Sequence, residues 1–191
     1  MANVERAELH KTIWRIANDL RGSVDGWDFK SYVLGTLFYR FISENLTNYL
    51  NEHQRKAGKK DFNYLLLSDK EAEFGRKTTV EEKGFYILPS ELFANVKAKA
   101  SSDENLNETL HKVFTNIEGS AVGSPSEGDL KGLFDDLDVN SNKLGSTVAK
   151  RVDLLRKLLN AVGDLQLGNY QDNSIDAFGD AYEYLMTMYA S

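Results

Sequence analysis

The stretch "WDFKSYVLGTLFYRFISENLTNYLN", from Trp27 to about Asn51, constrains the fold more than any other part of this chain. Its apolar residues Tyr32, Val33, Leu34, Leu37, Phe38, Phe41, Ile42, Leu46 and Tyr49 cover well over half of a helical circumference. A surface helix carries one apolar stripe, whereas a helix apolar on most sides has to be surrounded by other elements. The chain is therefore expected to wrap around this segment as a central buried helix. Its aromatic residues read as core, not as a cofactor box.

The rest of the sequence supplies the elements that do the wrapping. Leu9, Ile13, Ile16, Ala17 and Leu20 recur at helical spacing and predict a first helix over about 4–21, stopped by Gly22. "SVDGWD" is a loop in which Asp25 or Asp28 can cap the next helix. "SDKE" at 68–71 has the spacing of a capping box, and reads equally as a turn. Phe85–Leu88, bounded by Gly84 and Pro89, is β-prone and reads as a short strand, after which Ser90 caps a short helix through Phe93. Leu106, Leu110, Val113, Phe114 and Ile117 mark a further helix closed by Gly119. "GSAVGSPSEGD" at 119–129 reads as a surface loop. Val148, Val152, Leu155, Leu159 and Val162 give a long helix over about 146–161, ended by Gly163. The expected class is mainly α: a helical domain with one small β element near residues 84–89.

The chain's last residues, "SIDAFGDAYEYLMTMYAS", carry Ile175, Phe178, Tyr182, Leu185, Met186 and Tyr189 at spacings of three and four. That is an amphipathic helix without a closing glycine, lysine or proline. Phe178, Tyr182, Leu185, Met186 and Tyr189 are expected to pack on a domain beyond it. The division expected is a helical domain at 1–174 and a leading helix at 175–191.

Several chemistries are excluded by what the sequence lacks. No segment of about 18 apolar residues is present to span a bilayer, and the start "MANVERAELHKTI" is not a signal peptide. A cytoplasmic protein without a membrane partner is expected. With no cysteine there is no disulfide framework or thiolate site. His10, His53 and His111 have no second ligand at metal spacing, and no P-loop, dinucleotide fingerprint or zinc-protease motif occurs. The segment "DDLDVNSNKLG" at 135–145 begins like a calcium loop. It has Ser141 where the turn needs glycine and Thr147 where a bidentate glutamate is required, so it reads as a turn.

Charge points to partners. The formal net charge of −6 conceals a front and a rear of opposite sign. Residues 1–60 hold ten Lys and Arg against seven Asp and Glu; residues 61–191 hold thirteen against twenty-two. Candidate phosphate contacts are Arg21, Lys30, Arg40, Arg55, Lys56, Lys59, Lys60, Arg76 and Lys77, and the cluster Arg55, Lys56, Lys59 and Lys60 is the densest. The same cluster also reads as a solvated helix end, and the asymmetry as scattered surface charge.

With these elements in place, four stretches carry a family resemblance: "IWRIANDLRGSVDGWDFKSYVLGTLFYRFIS" at 13–43, "KGFYILPSELF" at 83–93, "LGSTVAKRVDLLRKLLNAVGDLQL" at 144–167 and "DAFGDAYEYLMTMYA" at 176–190. Together they resemble the N-terminal region of the modification (M, HsdM) subunit of type I restriction–modification systems. The resemblance implies a parent transferase that moves a methyl group from S-adenosylmethionine to the exocyclic amine of adenine in DNA. It implies as partners DNA, a specificity subunit, a second modification subunit and a restriction subunit. In that family a Gly-rich segment and an Asn-Pro-Pro-aromatic loop follow the fourth stretch, and neither occurs here. No catalytic, cofactor-binding or metal-binding residue is therefore carried over, and this stretch of chain is expected to hold no cofactor itself. The expected role is DNA engagement and subunit assembly; the alternative is a helical protein-interaction module without DNA contact.

Overall fold

A computed structural model describes residues 11–12, 14–20, 26–135 and 137–165. Residues 14–20 are helical, with Ile16 and Ala17 buried, as their spacing predicts. Helix α1 spans Gly26–Lys56 and is followed by the single turn α2 (Asp69–Ala72), α3 (Arg76–Lys83) and α4 (Phe93–Lys99). Then come α5 (Leu106–Ser120), α6 (Glu127–Asp135) and α7 (Val148–Gly163). Short 3₁₀ turns join several of them, at Tyr64–Leu66, Glu73–Gly75, Pro89–Glu91, Ala100–Ser102 and Asn142–Leu144.

α1 is the rod around which the others pack. Its 31 residues span about 46 Å at the usual helical rise. From Phe29 to Ser43 every residue except Ser31 is buried. α4 and α7 lie against it, and α5 packs on α7. Gly35 permits the closest approach: a Cβ there would stand 2.4 Å from Leu137 Cδ1. The polar residues trapped on α1 are satisfied locally. Thr36 Oγ1 donates to Tyr32 O (2.7 Å) and Thr47 Oγ1 to Ser43 O (2.8 Å), while Ser43 Oγ accepts from the Phe93 amide (3.1 Å).

Tyr39 is the centre of the core. Its ring meets Phe93 and Phe114 edge-on at 5.5 and 5.4 Å, and its hydroxyl donates to the Glu91 carbonyl. Phe114 in turn stacks on Phe134 of α6, with centroids 4.6 Å apart. Offset and edge-on aromatic contacts of this kind add about 0.5–1.5 kcal/mol each beyond burial.

Three local expectations are corrected. Phe85–Leu88 is extended, but no strand occurs among the described residues. Its backbone is satisfied by side chains instead: the Tyr86 amide donates to Ser120 Oγ (2.8 Å), and Ile87 O accepts from the Tyr64 hydroxyl (2.7 Å). Side-chain bonds replace a ladder because no second strand lies alongside among the described residues. Ser90 does not cap a helix; its amide and hydroxyl both bind the Asp69 carboxylate (3.0 and 2.5 Å), and α4 begins at Phe93 after Leu92. The loop at 119–129 is shorter than its composition predicts, because α6 starts at Glu127 and buries Leu130 and Phe134. The Ser68–Glu71 box is a cap: Ser68 Oγ accepts from the Glu71 amide (3.2 Å) and donates to its carboxylate (2.9 Å).

Candidate nucleic-acid interface

The exposed end of α1 is built by its closing turn. The Lys59 amide donates to Gln54 O and the Gly58 amide to Arg55 O, each at 3.0 Å. These are the two bonds of a Schellman motif, and Gly58 takes the left-handed conformation it requires, with φ of +95°. Lys56, Lys59 and Lys60 emerge around this turn, all exposed. Arg55 is exposed as well, but Glu52 grips its guanidinium through two contacts (3.1 and 2.5 Å). That hydrogen bonding holds the Glu52 carboxyl below its ordinary range and raises Arg55. The arginine is thus paired with a carboxylate at the surface.

Two aromatic residues and another cation complete the face. Tyr49, His53 and Lys56 stand at i, i+4 and i+7, one stripe of the helix. The Tyr49 and His53 rings are stacked with centroids 6.3 Å apart. Lys83, in the last turn of α3, places its Nζ 4.8 Å from the centre of the Tyr49 ring. The site is therefore a patch of ammonium groups bordered by a ring stack. Cations at a helix C-terminus also offset the helix dipole, worth about 0.3–1 kcal/mol each. Such a patch can bind phosphates; it holds no side-chain array shaped to read a base edge.

Two of the candidate cations lie elsewhere. Lys30 is buried, with its Nζ 4.3 Å over the Trp14 ring, and burial lowers its pKa. Arg40 is buried too; its Nε donates to Glu44 Oε1 (2.8 Å) and its Nη1 to the carbonyls of Val162 and Leu165 (2.8 and 2.7 Å). It ties the C-terminal end of α7 to the central helix. Both are expected from the sequence as candidate phosphate contacts and are instead committed to the interior, away from the patch. Arg76 is half-buried and forked onto Glu73, and Lys77 is exposed on α3. Arg21, Phe178, Tyr182, Leu185, Met186 and Tyr189 lie outside the described residues.

Sequence reasoning misses Tyr49, His53 and Lys83 as parts of the face. The i, i+4 spacing of Tyr49 and His53 was legible as a pair on one face; the approach of Lys83 depends on tertiary packing alone. Among the described residues no group of three or more His, Asp or Glu side chains can hold a metal ion. No helix among them is long and apolar enough to cross a membrane.

Fold and site together define a class: an α-helical domain built round one buried helix whose basic, ring-bordered end faces solvent. The model of the HsdM N-terminal domain family matches residues 9–162, and the chain belongs to that family. It is similar to the type I restriction enzyme MpnII methylase subunit of Mycoplasma pneumoniae, 45% identical over 193 residues, a match covering 97% of this chain and 35% of that protein. Its fold is similar to the crystal structure of the type I restriction-modification system methyltransferase subunit from Streptococcus thermophilus. There the TM-score is 0.70 at 24% identity, over 97% of this chain and 39% of the other. The chain spans little more than a third of the length of these relatives.

Proposed function

We propose that this domain engages the DNA backbone for a type I adenine methyltransferase and leaves the chemistry to the remainder of such a subunit. The observation that carries the reading is the exposed set Lys56, Lys59 and Lys60, with the half-buried Lys83 beside them, around the Tyr49–His53 stack. A few ammonium–phosphate contacts give sequence-independent affinities of roughly 10⁻⁴–10⁻⁶ M, each contact adding about 0.9 to the salt slope. The domain closes over DNA that a specificity subunit has selected, in an assembly with a second modification subunit and a restriction subunit. Tethering to that assembly raises the effective concentration and makes weak contacts sufficient.

S-adenosylmethionine belongs in this reading to the rest of the methyltransferase. The described residues offer no Gly-rich turn between a strand and a helix to receive such a cofactor, so no step is assigned to it here.

The test is the change Lys56→Gln, Lys59→Gln and Lys60→Gln made together, with duplex binding measured against salt. The expected result is weaker binding to all sequences alike and a salt slope shallower by about two to three. An unchanged slope overturns the reading. An interaction module without DNA contact would then lead, favoured by the exposure of Phe74 (90%) and Leu66 (83%).

A further inference from the structure

On the body of the domain, away from the basic patch, an open cleft of about 830 Å³ separates α3 from the end of α5. Glu73, Arg76 and Val80 line one wall, Asn116 the other, and Leu88 and Glu91 the base. The volume falls within the range of sites that hold a ligand or a short segment of a partner.

The base of the cleft carries a buried carboxyl. Glu91 is 9% exposed, and its Oε2 accepts from Asn116 Nδ2 at 2.6 Å. Among the described residues no lysine or arginine forms an ion pair with it. Arg76 is near, but its guanidinium is turned to Glu73 by two contacts of 2.8 Å and lies 5.2 Å over the Tyr86 ring. Burial raises the pKa of Glu91, Asp69 adds to the effect, and the Asn116 bond and Arg76 only partly offset it. A carboxyl in that condition gains most from a cation brought to it with a desolvated stem.

Charge decides which kind of occupant fits. The lining holds three carboxylates, Glu73, Glu81 and Glu91, against the two cations Arg76 and Lys77. With Arg76 cancelled by Glu73, an anionic ligand would face one lysine and two carboxylates. A cationic side chain meets the opposite balance, and the apolar surfaces of Val80 and Leu88 suit the methylene stem of such a residue. The geometry points to this cleft as the docking site for an arginine or lysine of a partner protein, its charged head on Glu91 and its stem against Val80 and Leu88. The partner's flanking backbone fills the rest of the volume along Asn116 and Ser120. This surface is distinct from the proposed DNA contact, which uses α1 and the far end of α3.

The probe is a capped pentapeptide, Ala-Ala-Arg-Ala-Ala, and its twin with neutral citrulline for arginine, each titrated into the chain and followed by amide shifts. The expected result is saturable movement of the Asn116 side-chain amide and of Ser120, with the citrulline peptide weaker by at least about tenfold, the loss of a charge-assisted hydrogen bond. Glu91→Gln should abolish the difference between the peptides while leaving the thermal midpoint near that of the parent. Should Glu91→Gln fail to fold, Glu81→Lys on the exposed rim decides instead, since it should weaken the arginine peptide and spare the citrulline one. Equal binding of the two peptides overturns the proposal, as does the absence of shifts in the cleft. A free argininamide that binds as tightly as the peptide also overturns it, by making the cleft a small-cation site.

Discussion

The two ends of α1 treat the same chemistry in opposite ways. Lys30 and Arg40 sit in its buried stretch and are drawn into the interior, one against Trp14 and the other onto the last carbonyls of α7. Lys56, Lys59 and Lys60 sit at its closing turn and stand in solvent. In the sequence all five are lysines or arginines in one basic front half, two within the apolar stretch and three just beyond it. The difference teaches that a cation's role is set by the neighbours that the fold brings to it. A buried guanidinium has exchanged water for protein acceptors and is structural; an exposed ammonium retains its freedom to meet a phosphate.

The sharpest way to break this comparison is Arg40→Ala. The substitution strands the Val162 and Leu165 carbonyls and removes a buried charge from its partners. Glu44 is partly exposed and is not left as a buried charge, so the loss is that of charge-assisted hydrogen bonds, about 1.5–3 kcal/mol. At about 2–4 °C per kcal/mol for a chain of this size, thermal unfolding should show a drop of roughly 3–12 °C. DNA affinity, measured well below the new midpoint, should keep its salt slope. A variant of parental stability with a flattened slope would reverse the assignment and return Arg40 to the nucleic-acid face.

Lys30 gives a smaller effect with a diagnostic pH dependence. Burial lowers its pKa below the ordinary lysine value near 10.4. The unfolded chain therefore binds more protons than the folded one between the folded and unfolded pKa values. Stability should accordingly rise with pH across that window and reach its full value at the unfolded pKa. The buried Tyr39, Tyr64 and Tyr86 hydroxyls, all raised by burial, act in the other direction only above about pH 10, the ordinary tyrosine value. Lys30→Met should cost no more than about 1 kcal/mol near neutral pH, the scale of the ring contact it removes. It should also flatten the alkaline rise. Urea midpoints of parent and variant at a series of pH values from neutral to 10 read both; parallel curves would mean that Lys30 is solvated in the folded protein.

How much of this was legible in the sequence follows the range of the forces involved. α1 and α7 declare themselves because burial imposes a period of 3.6 on residues that are adjacent in the chain. α6 does not, since "EGDLKGLFD" has two glycines, with Leu130 and Phe134 among the residues it buries. Phe85–Leu88 has strand composition, yet a strand is a property of two segments, and among the described residues no second one pairs with it. The basic cluster at 55–60 was legible as composition. Its division into an Arg55 paired with a carboxylate and lysines without such a partner among the described residues was half legible, because Glu52 stands three residues before Arg55. The inward turn of Arg40 depends on carbonyls more than 120 residues away. No local pattern encodes that.

The smallest effect concerns Lys83, whose ammonium lies over the Tyr49 ring at the border of the face. An ammonium over a ring near the surface contributes about 0.5–1 kcal/mol. Lys83→Met should therefore destabilise by no more than that, and Tyr49→Leu should lose the same contact together with the His53 stack. The double variant isolates the pair: a coupling of about 0.5 kcal/mol is expected from the thermodynamic cycle, close to the limit such cycles resolve. The sharper readout is DNA binding. If Tyr49 holds Lys83 in the patch, then Tyr49→Leu should weaken duplex binding in the parent and have little further effect once Lys83 is Met. Additive losses in affinity would mean that the ring and the ammonium meet DNA independently. The exposed end of α1 would then be a loose group of cations, with none of the mutual positioning that the buried end shows.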